Sequence, residues 1–377
     1  MLLNKNFKNM TNVKNLIYGL VLLAMVSCGE KESIADVAPE KEKDIETGGS
    51  VIFDISTVAG IGSAGSADGD LTTGSFNTPI GIAEGLDGNL FIADQTNHKI
   101  RKITIGQGVS TYAGTGILGY SNGMNGQFNR PYGIVVDSKG NIFVADYANH
   151  SIRKVSIDGE VSTFAGINSG GWVDGVGGAA RFNLPFALAI DHADNLFVSD
   201  HRNNRIRKIN PDGLVSTLAG SGEAGFLDGA AMEAKFDGPT GITVDQEGNV
   251  YVSEYYNNVI RKIGVDGIVS TIAGDGSRGY SDGDAFSAKF NQPYDVAVDH
   301  EGKVYVADYS NHMIRMVDLS TMKVSTIAGD GVAGFLNGRG NESRFRFPAG
   351  ITVGKDGEVY VVDRSNHAIR KLTKIDQ

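Results

Sequence analysis

Pro131-Tyr-Gly-Ile-Val-Val-Asp137, Gly140-Asn-Ile-Phe-Val-Ala-Asp146, Asn149-His-Ser-Ile-Arg-Lys154 and Val161-Ser-Thr-Phe-Ala-Gly166 are short runs rich in β-branched and aromatic residues, parted by Gly, Asp and Asn. Runs of this kind between turn residues predict four strands joined by tight turns. The same unit returns along the chain. Its proline falls at 79, 131, 185, 239, 293 and 348, and the arginine of its Ile-Arg pair at 101, 153, 207, 261, 315 and 370, so both series advance by 52, 54, 54, 54 and 55 residues. Four-stranded units of this length, repeated, predict an all-β protein, a six-bladed β-propeller of four-stranded blades. A length of 377 residues would otherwise suggest two or three domains. The repeat makes residues 51–377 a single closed ring instead.

One displaced copy indicates how the ring closes. Ser-Thr-x-Ala-Gly occurs at 56, 110, 162, 216, 270 and 325, yet none follows Arg370; the extra copy stands before the first proline. Residues 51–60 are therefore expected to form the outer strand of the blade whose other strands come from residues 348–373. Pairing of this kind covers a sheet edge and ties the two ends of the ring together.

The Asn-His-x-Ile-Arg segment, following Gly-Asn-Ile-Phe-Val and Ala-Asp, resembles the NHL repeat, and the resemblance extends over residues 51–373. It implies a six-bladed propeller in which the strand after each proline lines a central channel. It also implies that the long connectors between blades and the turn after each strand-ending acid share one face, where ligands enter.

The first fifty residues read as an address. Lys5, Lys8 and Lys14 precede an apolar run from Leu16 to Ser27, too short to cross a bilayer that needs roughly 20 residues in a helix. The run ends Met25-Val-Ser-Cys28, which resembles the lipobox of bacterial lipoproteins. Residues 1–27 are expected to be a signal peptide, Cys28 the lipidation site, and residues 28–50 an acidic tether too polar to form a core. The acids directly after Cys28 resemble the surface-export signal of some Bacteroidetes lipoproteins. The expected location is the bacterial cell envelope, as an outer-membrane lipoprotein reaching the membrane through its anchor alone.

Composition excludes several functions. The chain has 34 basic and 44 acidic side chains, and no basic block of the sort that holds phosphate backbones, so nucleic acid is not an expected partner. One cysteine rules out an internal disulfide and any multi-cysteine zinc site. No nucleophile elbow or phosphate loop is present.

Residues that repeat in every unit are read as structural. The acids Asp94, Asp146, Asp200, Glu254, Asp308 and Asp363 are expected to pair with the repeat arginines. The connector aromatics Tyr120, Trp172, Phe226, Tyr280 and Phe335, replaced by Ser66 in the first copy, are expected to pack the connectors. His98, His150, His312 and His367 share their position with Asn204 and Asn258, which suits a turn residue better than a metal ligand. His192 and His300 fall in the turn between the first two strands, on the opposite face.

Two positions vary and supply the candidate site. After the proline stand Ile80, Tyr132, Phe186, Thr240, Tyr294 and Ala349; after the strand-ending acid stand Gln95, Tyr147, His201, Tyr255, Tyr309 and Arg364. Both sets are expected to ring the channel mouth on the connector face, forming a concave surface of aromatics and a few polar groups. Asp295 replaces a repeat glycine and breaks the symmetry, and His201 alone is a histidine directly after the acid. These two are the candidate catalytic groups. Tyr132, Tyr147, Phe186, His201, Tyr255, Tyr294, Asp295, Tyr309 and Arg364 are the candidate ligand contacts.

The function expected from the resemblance is a lipid-anchored, monomeric binding or scaffold module for a glycan, peptide or protein, with no cofactor. The alternative is a metal-dependent lyase or lactonase with its site in the channel. Related propellers of those kinds use a metal, for which calcium or zinc would serve here.

Overall fold

The structure is a computed structural model in which residues 52–375 are described. The expected signal peptide, the expected lipidation site Cys28 and the expected tether to residue 50 lie outside the described residues. Residues 52–375 form six antiparallel sheets arranged as blades. In blade two the strands run outward in chain order, from Pro131–Val136 through Ile142–Asp146 and Ser151–Val155 to Val161–Gly166. The inner strands Pro79–Glu84, Pro131–Val136, Pro185–Ile190, Pro239–Val244, Pro293–Val298 and Pro348–Val353 each pack against the next, and the last returns to the first.

The ring closes as the displaced motif requires. Ile52–Ala59 pairs antiparallel with Ala368–Ile375, placing Ile52 opposite Ile375 and Ser56 opposite Lys371. The expected four strands gain a two-residue fifth in five blades, such as Gly69–Asp70 and Gly229–Ala230. It arises where the connector passes the outer strand and pairs with it, shielding the edge. In blade two this contact shrinks to a single bridge between Gly123 and Val161.

Apolar burial holds neighbouring blades together. Phe76, Phe128, Phe182, Phe236, Phe290 and Phe345 are fully buried, one in each repeat. Each lies under the repeat arginine, with the guanidinium carbon 4.9–5.6 Å from the ring centroid. In four blades the connector aromatic covers the other face of the same guanidinium, as Tyr120 does for Arg153 at 4.7 Å. Blade three differs: Trp172 covers Arg205, at 3.8 Å, rather than Arg207. These connector aromatics do pack, yet Trp172, Phe226, Tyr280 and Phe335 remain about half exposed.

The repeat arginines are fully buried, and each meets the strand-ending acid of its own blade. Arg153 Nη1 donates to Asp146 at 2.8 Å, while Asp146 also accepts from the backbone N–H of Asn129 at 2.7 Å and from Asn149 Nδ2 at 2.8 Å. Asn149 donates in turn to the connector carbonyl of Gly119. Strand end, turn, third strand and connector are thus joined by one polar network, although the buried Nε of Arg153 has no partner within it.

Candidate functional site

Five of the strand-ending acids are followed by a short helical turn and Glu254 by a plain turn, and each finishes on a left-handed residue, such as His150 at φ 51°. Asn and His adopt this region more readily than most residues. The Nδ1 atoms of His98, His150, His312 and His367 accept a backbone N–H from the next blade, at 3.0–3.1 Å. Asn204 and Asn258 do the same through Oδ1, donated by Gly238 at 3.2 Å and Gln292 at 3.0 Å. An acceptor bonded directly to Cγ is what the position requires. These histidines link blades.

At the connector end of the channel the two variable sets of side chains meet across the axis. Tyr132 stacks on Tyr147 with centroids 4.2 Å apart, and Tyr294 stacks on Tyr309 at 4.8 Å. Phe186 stands between them, edge-on to Tyr132 at 4.8 Å and to Tyr294 at 5.0 Å. Ile80, Thr240 and Ala349 fill the remaining space and are buried. Gln95 Nε2 donates to Tyr132 Oη at 3.2 Å, and Arg364 donates to Tyr309 Oη at 3.1 Å.

The expected open mouth is therefore a plug. Tyr132, Phe186, Tyr294 and His201 do come together but are buried, so they do not line a concave surface. Tyr147, Tyr255, Tyr309 and Arg364 sit above them, partly exposed. The cause is the narrowness of the axis. A Cβ on Gly81 would lie 2.1 Å from the carbonyl oxygen of Tyr132 in the next blade, and one on Gly350 would lie 2.1 Å from that of Ile80. Inner strands this close leave a hole that aromatic rings fill.

Burial shapes the ionisation of the plug. It pushes the Tyr132 phenol up to about 12 and lowers His201 below its ordinary value. His201 Nδ1 lies 3.1 Å from the carbonyl oxygen of Pro239, which only accepts, so that nitrogen carries the proton. A neutral histidine held in this way supports the packing around Phe186.

Asp295 is not at the connector mouth either. It faces the other half of the channel, a cavity of about 470 Å³ lined by the inner strands and by Glu84, His192 and Lys355 near its open end. Its Oδ1 accepts from its neighbour Val296 at 2.9 Å and its Oδ2 from Ile351 of blade six at 3.1 Å, with Ile242 of blade four adding a third backbone N–H. Burial raises its pKa to about 7, against the lowering effect of those bonds. Both oxygens are thus engaged in joining three blades. Among the described residues no three His, Cys, Asp or Glu side chains converge as a metal site would need.

Comparison with known proteins agrees with this architecture. The NHL repeat model matches residues 128–155, 236–263, 290–315 and 345–372. The chain carries NHL repeats. Among curated relatives of this NHL propeller, "Protein SUPPRESSOR OF QUENCHING 1, chloroplastic" of Arabidopsis thaliana is 29% identical over 290 residues, covering 71% of this chain and 27% of its own. Human "NHL repeat-containing protein 2" is 30% identical over 305 residues, covering 70% of this chain and 42% of its own. The NHL propeller therefore spans less than half the length of these relatives.

Solved structures share the fold. A Bacteroides thetaiotaomicron protein of unknown function superposes with TM-score 0.67 at 20% identity, covering 85% of this chain and 76% of its own. An "auxiliary nutrient binding protein" from the same organism gives 0.66 at 15%, covering 86% and 77%. A streptogramin B lyase gives 0.52 at 16%, covering 86% and 98%.

The plug was missed by sequence reasoning although a signal for it was present. Gly81, Gly133, Gly241 and Gly350, each two residues after its repeat proline, demand close backbone approach at the axis, and a close approach closes the hole.

Proposed function

We propose that this NHL propeller is a ligand-binding module whose site is the connector-face surface above the aromatic plug. The observation that carries the reading is where the repeat breaks. Acids, arginines, asparagines and left-handed turn residues recur in all blades and bond to one another or to the backbone within the frame. The side chains around the axis vary from blade to blade, and Tyr147, Tyr255, Tyr309 and Arg364 remain partly exposed there. Half-exposed aromatic rings beside a few polar groups suit a glycan, peptide or protein surface. The nutrient-binding neighbour is compatible with such a role.

A binding screen of glycans, peptides and metabolites tests this reading. A ligand found in it is expected to bind at least tenfold more weakly to the Tyr147→Ala/Tyr309→Ala double variant and equally well to Lys355→Ala, whose side chain lies at the opposite end of the channel. Dependence on Lys355 alone would move the site to the other cavity.

The sequence around Cys28 supports a second element of the proposal, a lipid anchor at the cell envelope with residues 29–50 as tether. Metabolic labelling with a fatty-acid analogue is expected to mark the wild type and not Cys28→Ala.

A further inference from the structure

The charges around the axis are unevenly distributed. The propeller is net acidic, with 28 basic and 37 acidic side chains over residues 51–377. Yet the two residues before each repeat proline and the two after each strand-ending acid include four arginines, Arg130, Arg202, Arg346 and Arg364, and a single acid, Asp237. Arg130, Arg202 and Arg346 are exposed and form no ion pair among the described residues, and the same holds for Arg278 on a neighbouring connector. Lysines elsewhere on the surface do find acids, as Lys303 does with Asp318 at 2.6 Å and Lys371 with Glu358 at 2.9 Å.

The tyrosines report the same division. The charged groups acting on Tyr147 are Arg202 and Arg130, and on Tyr255 they are Arg278 and Arg364. At the other end of the blades the charged groups acting on Tyr251 are Asp245 and Glu247, and on Tyr305 they are Asp299 and Glu301. The partly exposed phenols near the axis thus see arginines, whereas Tyr251 and Tyr305, buried at the other end, donate their hydroxyls to Asp245 and Asp299.

We propose that the arginine-rimmed tyrosine surface takes an acidic carbohydrate, a sugar polymer carrying uronate carboxylates or sulfates. This deepens the binding reading above and rests on it. Guanidinium groups without acid partners hold carboxylates and sulfates through paired N–H donors. The half-exposed ring of Tyr147 and the exposed ring of Tyr256 offer flat apolar faces for sugar rings. Each inner strand ends its sheet, but its free edge faces the channel, packed against the inner strands of the neighbouring blades and beneath the aromatic plug, so it is not offered to a peptide backbone at the connector surface. The net negative charge elsewhere repels a polyanion, which confines binding to this patch.

Affinity electrophoresis of the purified protein through gels containing polygalacturonate, dextran sulfate or neutral dextran tests the inference. Replacements are taken from the equivalent positions of other blades so that the turns are kept: Arg130→Gln as at Gln292, Arg202→Ser as at Ser310, and Arg346→Asn as at Asn291. The wild type is expected to be retarded by at least one of the two anionic polymers and not by dextran, with retardation weakening at high salt, and the triple variant to lose at least tenfold in affinity. Retardation by dextran alone would overturn the acidic class while leaving the binding surface in place, provided it required Tyr147 and Tyr309. Equal binding of polyglutamate would overturn the carbohydrate class. Anionic binding unchanged in the triple variant would overturn the site.

Discussion

At the residue scale, the departures from the repeat are the informative positions, and Asp295 is the sharpest of them. Its carboxylate occupies space that only glycine at 241 leaves open, since a Cβ there would lie 2.5 Å from Oδ1. Burial raises its folded pKa from 3.8 to about 7, so the folded chain holds this proton more tightly than the unfolded chain. The associated stability is complete below the unfolded pKa and lost as pH rises through about 7. Asp295→Gly, which restores the repeat residue, is expected to flatten this part of the stability curve. Urea midpoints of both proteins at several pH values between 5 and 8 check it; a constant difference between them would contradict the assignment. The repeat arginines belong to a different class. Arg153 is fully buried against Asp146, and Arg153→Met strands that carboxylate, so a loss of about 3–5 kcal/mol is expected in the same measurement. The pairing of these acids and arginines was legible from their spacing alone. The destination of Asp295 was not, because the sequence marks the break in symmetry but not which backbone N–H groups surround it.

At the element scale, the left-handed residue that ends each turn joins one blade to the next. His150→Asn is expected to change stability by less than about 1 kcal/mol, because Asn204 and Asn258 already accept the same bond and tolerate the same backbone. His150→Ala loses the acceptor for Leu184 N–H and places a less suited residue at φ 51°, and is expected to cost about 1–2 kcal/mol. Thermal denaturation of the two variants side by side separates them. The exchange of His for Asn along the sequence marked these as turn residues in advance, while the bond to the next blade emerged only from the structure. The short fifth strand was not readable, because Gly69–Asp70 and its equivalents carry turn residues rather than a strand pattern, and pair only because the connector is drawn past the outer strand.

At the scale of the whole molecule, closure by Ile52–Ala59 followed from one displaced motif, whereas the plugged channel depended on how far apart six inner strands stand, a distance signalled only indirectly by the glycines that follow four of the repeat prolines. Deleting residues 52–59 uncovers Ala368–Ile375 along its length and removes the buried Phe53 and Ile55 from the core; the product is expected to melt well below the wild type or to self-associate. An unchanged monomer with an unchanged melting temperature would contradict the closure. The two ends of the ring also differ in kind: one holds a plug topped by tyrosines and arginines, the other a cavity rimmed by Glu84, His192 and Lys355. Hydrogen exchange with and without a bound ligand decides between them most directly. Protection is predicted in the turns at residues 147–150, 309–312 and 364–367 on the connector face, and protection confined to the hairpins at residues 84–89, 190–195 and 353–358 would contradict the proposed site.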